Sequence, residues 1–415
     1  MSDRFLTRQL VNLAVTANAI HPIPGEYAGI PAFAAGWGAS ELAPHLLAVT
    51  ITDAAVHLAR HGAWTRRDRL GLAAAAFASA GYVAQVRAGN RAGEQVERAL
   101  QHGLGVDYAA ELPSDEGAAM LAWRSLVNPL RMRNVDVTAK RRLAYAPGGR
   151  RFELDVYHHR DTPPGAPVLL QIHGGGWVIG QKEQQGIPLM MHMAARGWVC
   201  VAVNYPLSPR NRWPAHLIAI KRAIGWIRKH AVEYGGDPSF LAVTGGSAGG
   251  HLAAMVALTP DDKSLQPGFE GVDTSVQACV PHYGMYDFTG ESGRKYTQRR
   301  ADTLLRRYIM AVDARYPDDY RSASPLSRIT ADAPPFFVLH GSNDTLVPVP
   351  DAREFVEKLR SVSHNPVVYA ELAGAQHAYD LVPSVRGLHV TRAVERFLGV
   401  CVSRAEVPGS VRQQR

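Results

Sequence analysis

The chain has 415 residues, 46% hydrophobic and 20% charged, ordinary globular usage that excludes a collagen-like, coiled-coil or largely disordered protein. Three cysteines, Cys200, Cys279 and Cys401, cannot build a disulfide framework, and Cys200 and Cys279 sit in apolar runs, so a redox or metal-cluster protein is set aside. The net charge of +8 is unevenly spread: residues 1–130 hold 10 Lys/Arg against 11 Asp/Glu, and the excess falls in basic stripes at 131–151 and 294–307 that lack zinc-finger or RNP-type spacing and imply no nucleic-acid partner.

Residues 1–130 are rich in Ala and Gly and lack β-branched runs. This predicts helices, with breaks at Pro22, Pro24, Pro31, Pro44 and Pro113. Residues 1–10 do not lead into a signal-peptide core, so the expected location is cytoplasmic or membrane-associated. Two apolar stretches leave two readings open. Residues 30–59 carry Glu41, His45, Asp53 and His57, and residues 70–86 are uncharged but hold seven alanines and two glycines. The first reading is a membrane hairpin across 30–86. The second is a soluble helical subdomain that covers the rest of the molecule. Ala contributes little transfer energy, and arginines flank the second stretch on both sides, so charge gives no consistent orientation.

From about residue 140 the pattern changes. The run F-E-L-D-V-Y at 152–157 alternates as a half-exposed strand does. Continuous apolar runs at 167–172, 199–203, 240–243, 276–280, 336–339 and 367–370 read as buried strands. Helix-length segments lie near 183–196, 214–232, 248–258, 351–361 and 384–398. This order predicts an α/β fold with a mostly parallel sheet and helices on both faces. Ligands then belong at the carboxyl ends of the strands. The predicted divisions are 1–135 as a helical cap or membrane-associated region, 136–402 as the catalytic domain and 403–415 as a flexible tail.

The chemistry-bearing motifs fall at those strand ends. His173-Gly174-Gly175-Gly176-Trp177 follows the strand V-L-L-Q-I, and a triple glycine lets backbone N–H groups approach a developing oxyanion. Gly245-Gly246-Ser247-Ala248-Gly249 fits G-x-S-x-G between a strand and a helix, the context of a nucleophile elbow. Ser247 is the expected nucleophile, and Gly175, Gly176 and Ala248 are the expected oxyanion donors. The chain order serine, acid, histidine selects Asp344, in the loop after P-F-F-V-L, and then His377, in the loop after V-V-Y-A. His340 precedes the acid, His251 lies one helical turn past the serine, and Asp380 is too near His377 to be the first choice. Residues 284–330 interrupt the α/β rhythm as a second cap element. Trp177, Trp213, Tyr283, Tyr286 and Phe288 are candidates for the acyl or alcohol pocket, with Trp177 and Tyr283 placed at the substrate. No H-E-x-x-H, C-x-x-C or EF-hand pattern is present, so no metal or other cofactor is implied.

Together, L-D-V-Y at 154–157, H-G-G-G-W at 173–177, N-Y-P-L-S-P at 204–209, G-G-S-A-G-G-H-L-A-A at 245–254, S-P-L at 324–326, G-S-N-D at 341–344 and Q-H-A-Y at 376–379 resemble the hormone-sensitive-lipase-like branch of the α/β-hydrolase superfamily. The resemblance covers roughly residues 140–400. The whole architecture, with its Ala-rich N-terminal helical extension, looks like actinobacterial lipase/esterase proteins of similar length. The resemblance implies an α/β-hydrolase fold and hydrolysis of short- to medium-chain or lipid carboxylic esters by the triad Ser247, Asp344 and His377. The implied partner is a small ester or lipid molecule, and the basic stripes are compatible with an anionic membrane surface. Gly246 departs from the Asp that many relatives carry before the serine. The H-G-G-x-W run is also typical of kynurenine formamidases, so an arylformamidase or amidase on the same triad is the alternative.

Overall fold

The computed structural model describes residues 2–23, 28–60, 65–112, 126–130, 132–260 and 262–406. Four N-terminal helices come first: α1 (Ser2–Ile20), α2 (Gly29–Glu41), α3 (Ala43–Arg60) and α4 (Arg66–Leu104). Pro31 and Pro44 lie in the first turns of α2 and α3 and do not break them, because the first-turn N–H groups have no intrahelical partner to lose. Pro24 and Pro113 lie outside the described residues.

The eight-stranded sheet is built from β1 (Val137–Ala144), β2 (Glu153–His159), β3 (Ala166–Ile172), β4 (Val199–Val203), β5 (Gly236–Gly246), β6 (Ala278–His282), β7 (Phe336–Gly341) and β8 (Val367–Leu372). Their spatial order is β1-β2-β4-β3-β5-β6-β7-β8. β2 is antiparallel to β1 and β4, and the rest of the sheet is parallel. Helices α5 (Ile187–Ala195), α6 (Ala215–His230), α7 (Ala248–Leu258), α8 (Lys295–Arg300), α9 (Asp318–Ser322), α10 (Pro350–Val362) and α11 (Val385–Glu406) complete the fold. α11 continues to Glu406, so 403–406 are helical where a flexible tail is expected, and 407–415 lie outside the described residues.

The period-2 geometry of β3 sends Val168, Leu170 and Ile172 to one face and Leu169 to the other. The first face packs on α6 and α7 through residues such as Ile220, Ile224, Leu252 and Val256. The opposite face packs on α5, α11 and, from the N-terminal region, Ala92, Val96, Ala99 and Leu100 of α4. Helix α4 therefore shares the core of the sheet.

The apolar stretch 70–86 is part of this 39-residue α4. The helix starts on a capping box, in which the Thr65 side chain accepts from the Asp68 N–H and Asp68 accepts from the Thr65 N–H. Its buried positions Gly71, Ala74, Ala78, Gly81, Gln85, Gly89, Ala92, Val96 and Ala99 recur every three or four residues along one face. Small residues there let α1 approach closely: a Cβ on Gly71 would lie 2.7 Å from the Phe5 ring. The stretch 30–59 is two helices, α2 and α3, bent by 83°. No single described helix is long and apolar enough to cross a membrane.

Candidate active site

Three loops, at the carboxyl ends of β3, β7 and β8, converge with the turn and helix that follow β5. Ser247 ends the β5 extension at φ 59°, ψ −120°, and α7 begins on the next residue. A bulky side chain at neighbouring positions would jam this turn. A Cβ on Gly250, for example, would lie 2.8 Å from the His282 carbonyl oxygen. The Ser247 N–H donates to that same carbonyl at 3.0 Å, which ties the turn to β6. The residues flanking Ser247 are buried, and Ser247 itself is partly open. Its hydroxyl sits at the positive end of α7 and makes no hydrogen bond to a described residue.

The glycine turn lies against it. Gly175, Gly176 and Trp177 all take positive φ values (109°, 59° and 61°). A Cβ on Gly174 would meet Ser247 Cβ at 3.1 Å and the Gly246 carbonyl oxygen at 2.6 Å. Only glycine allows this approach. The Gly174 N–H is taken by Gln185 Oε1 at 2.6 Å, whereas the N–H groups of Gly175, Gly176 and Ala248 donate to no described protein group. The flanking motifs hold the turn in place. Tyr205 Oη donates to the His173 carbonyl at 2.9 Å and stacks on the His173 ring. Asn204 Oδ1 accepts the Lys182 N–H, and buried Lys182 pairs with buried Asp155 at 2.9 Å.

Asp344 and His377 face each other across the ends of β7 and β8. His377 Nδ1 is 2.7 Å from Asp344 Oδ2. Asp344 Oδ1 accepts the N–H groups of Leu346 (2.8 Å) and Val347 (2.7 Å). Burial pushes the Asp344 pKa up, but the His377 charge and hydrogen bonding from His340 and His377 overcome it and hold the carboxyl well below its usual range. The carboxylate can only accept, so His377 carries its proton on Nδ1 and leaves Nε2 as a bare lone pair. Ser247 and His377 are not hydrogen bonded in this structure. In resting enzymes that contact is often long and tightens with substrate.

Other histidines have different surroundings. His340 Nε2 is 2.7 Å from the Val347 carbonyl and 3.4 Å from Asp344 Oδ2, so this buried ring braces the acid. His251 Nε2 meets the Ala323 carbonyl at 2.8 Å, and burial lowers its pKa to about 3. Asp380 accepts a hydrogen bond from Tyr283 Oη.

The expected pocket aromatics are not at an open surface. Trp177, Trp213 and Phe288 pack around His251 beneath the elbow helix, and Tyr286 stacks on Phe355. Trp177 is 1% exposed and packs edge-on against His251 and Phe288. Tyr283 is buried with its ring centroid 4.6 Å from the His377 ring.

The sequence reading missed the contribution of α2. The Phe33 ring stands edge-on 6.1 Å from His377, and Trp37 Nε1 donates to the Ala378 carbonyl at 2.8 Å. Asn343 Nδ2 donates to the carbonyls of Ala19 and Ile20, and Thr345 Oγ1 to that of Gly29 at 2.9 Å. The i, i+4 spacing of Phe33 and Trp37 on an apolar helix was the one available signal.

The BD-FAE family model matches residues 154–359. A probable carboxylic ester hydrolase of Mycobacterium tuberculosis, LipM, is 47% identical over 78% of this chain and 76% of its own length. That is more than residues 136–415 supply, so the likeness reaches into the N-terminal helices. Esterase LipQ of the same organism is 47% identical over 63% of this chain and 62% of its own length. Among solved structures, a thermophilic esterase from Thermogutta terrifontis superposes with a TM-score of 0.53 at 24% identity, over 68% of this chain and 96% of that one. A carbohydrate esterase from gut microbiota gives 0.53 at 23% identity, over 63% and 96%.

Proposed function

The chain belongs to the hormone-sensitive-lipase-like family of α/β hydrolases, and from that premise we propose that it cleaves carboxylic esters through an acyl-enzyme formed on Ser247. The observation that carries this reading is the Asp344–His377 pair at 2.7 Å, set beside a serine on a strained strand-to-helix turn. His377 Nε2 takes the hydroxyl proton as Ser247 Oγ attacks the ester carbonyl, and an Oγ–C bond forms. Asp344 keeps the imidazole in the required tautomer and stabilises the imidazolium. The N–H groups of Gly175, Gly176 and Ala248 receive the oxyanion, each well-placed donor worth about 3 kcal/mol. The imidazolium returns its proton to the alcohol oxygen as the C–O bond breaks. Water then repeats the sequence, releasing the acid and restoring Ser247.

The purified protein should hydrolyse short p-nitrophenyl esters and react stoichiometrically with a fluorophosphonate. Ser247→Ala should abolish both. A Ser247→Ala protein labelled as well as the parent would refute the assignment. A series of acyl chain lengths then locates the substrate between simple esters and lipids, and an N-formyl aromatic amide run in parallel separates esterase from formamidase chemistry.

A further inference from the structure

The residue before the nucleophile is glycine, and the structure supplies a reason in another part of the chain. A Cβ on Gly246 would lie 2.5 Å from Tyr283 Oη and 2.8 Å from two of its ring carbons. Tyr283 therefore occupies the space that a side chain at 246 would need. It does so at φ 37°, a region that bulky residues avoid. Its N–H is fixed to the Leu339 carbonyl at 2.7 Å, and its hydroxyl donates to the Asp380 carboxylate. The ring also lies against His377, with centroids 4.6 Å apart and planes tilted by 59°. Asp380 lies on the same loop, three residues past His377. One buried ring thus touches the peptide that carries the nucleophile and the imidazole that must serve it. Its hydroxyl is committed to Asp380 and is not offered to substrate.

We infer that Tyr283, tied down by Asp380, is a positioning residue that sets the separation between Ser247 and His377. The inference rests on the esterase reading above. A shape constraint of this kind acts on the imidazole during proton transfer, so it governs kcat and leaves ground-state binding nearly unchanged. Burial and the nearby Asp380, Tyr379 and Asp344 raise the phenol pKa, so the strut keeps its proton as pH rises through neutrality.

The test uses the full chain, with rates normalised to sites titrated by fluorophosphonate so that misfolded protein is not counted. Tyr283→Phe removes the tie and keeps the ring, and Asp380→Ala removes the acceptor of the tie. Each should lower kcat on a p-nitrophenyl ester about tenfold with KM within about twofold, and the double variant should be no worse than either alone. Tyr283→Leu, which removes the ring, should lose more than Tyr283→Phe. Parental kcat in Tyr283→Phe, or losses that add in the double variant, would overturn the strut while the esterase reading stands. A parent that is neither labelled nor active would overturn both.

Discussion

The α/β half and the N-terminal helices meet at one site but contribute different kinds of chemical group. The α/β half brings the proposed reactive side chains and special backbone: Ser247 at positive φ, the Asp344–His377 pair and the glycine turn. The N-terminal helices bring supports. Carbonyls of Ala19, Ile20 and Gly29 accept from Asn343 and Thr345, and the Trp37 indole holds the Ala378 carbonyl. Every one of these contacts lands on the two loops that carry Asp344 and His377. The comparison teaches that the helices act on the same loops as the chemistry without taking part in it. Damage on one side should stop turnover in a folded protein, and damage on the other should first loosen the fold.

The sharpest break in that comparison is Asp344→Asn. The carboxylate accepts two backbone N–H groups and His377 Nδ1. The amide would supply an N–H where acceptors are needed and favour the wrong imidazole tautomer. A fall of about 10⁴-fold in kcat is expected, with the fold retained; a loss below about tenfold would remove Asp344 from the triad. The same variant tests linkage. The folded-state pKa of Asp344 is depressed, so its contribution to stability is complete above its unfolded value of about 4 and disappears as pH falls through the lower folded value. In urea titrations from pH 5 downward, the parent should lose stability more steeply than Asp344→Asn.

Next in size is the joint between the two halves. Glu41, at the end of α2, forms an ion pair with Arg386 of α11 and accepts from Ser384 Oγ at 2.7 Å, with both charges buried. Arg386→Met leaves Glu41 charged and uncompensated, which should cost about 3–5 kcal/mol, seen as a lower urea midpoint. Replacing Glu41 as well, to give a Met–Met pair, should recover most of that loss. An unchanged midpoint in the single variant would mean that the halves are energetically independent.

The difference between the halves also explains what the sequence disclosed. Ser247, Asp344 and His377 could be picked out as candidates because the three loops that carry them each follow a buried strand, and strands of Val, Leu and Ile are easy to see. Strand β1 was missed because V-T-A-K-R-R-L-A has an exposed outer side, where charge guards a sheet edge; Arg141 also reaches Asp155 at 3.7 Å. The N-terminal supports were illegible for a deeper reason. A carbonyl of Ala19 or Gly29 is the same group in any residue, so no side-chain pattern announces that it will accept from Asn343 or Thr345. The place of Trp177 after the glycines suggested a substrate contact, whereas its packing against His251 and Phe288 left no signal in the sequence.

The smallest effects test whether the helices do more than hold. Trp37→Phe keeps an aromatic ring beside the His377 loop and removes its hydrogen bond to the Ala378 carbonyl. Ala378 sits at φ 57°, a conformation that needs its neighbours to fix it. The loss of that bond should lower stability by about 1 kcal/mol. It should lower kcat by up to about tenfold, because the carbonyl belongs to the residue next to the base. Arg98→Ala provides the baseline: it removes an exposed pair with Glu94 on the outer side of α4, 3.3 Å apart and far from either loop in sequence. It should change neither unfolding midpoint nor kcat measurably. If Trp37→Phe behaves like Arg98→Ala in both measurements, α2 merely lies over the loop, and the α/β half orders its own histidine. If kcat falls while the midpoint stays within about 1 kcal/mol of the parent, α2 belongs to the active site in the same sense as the loop it touches.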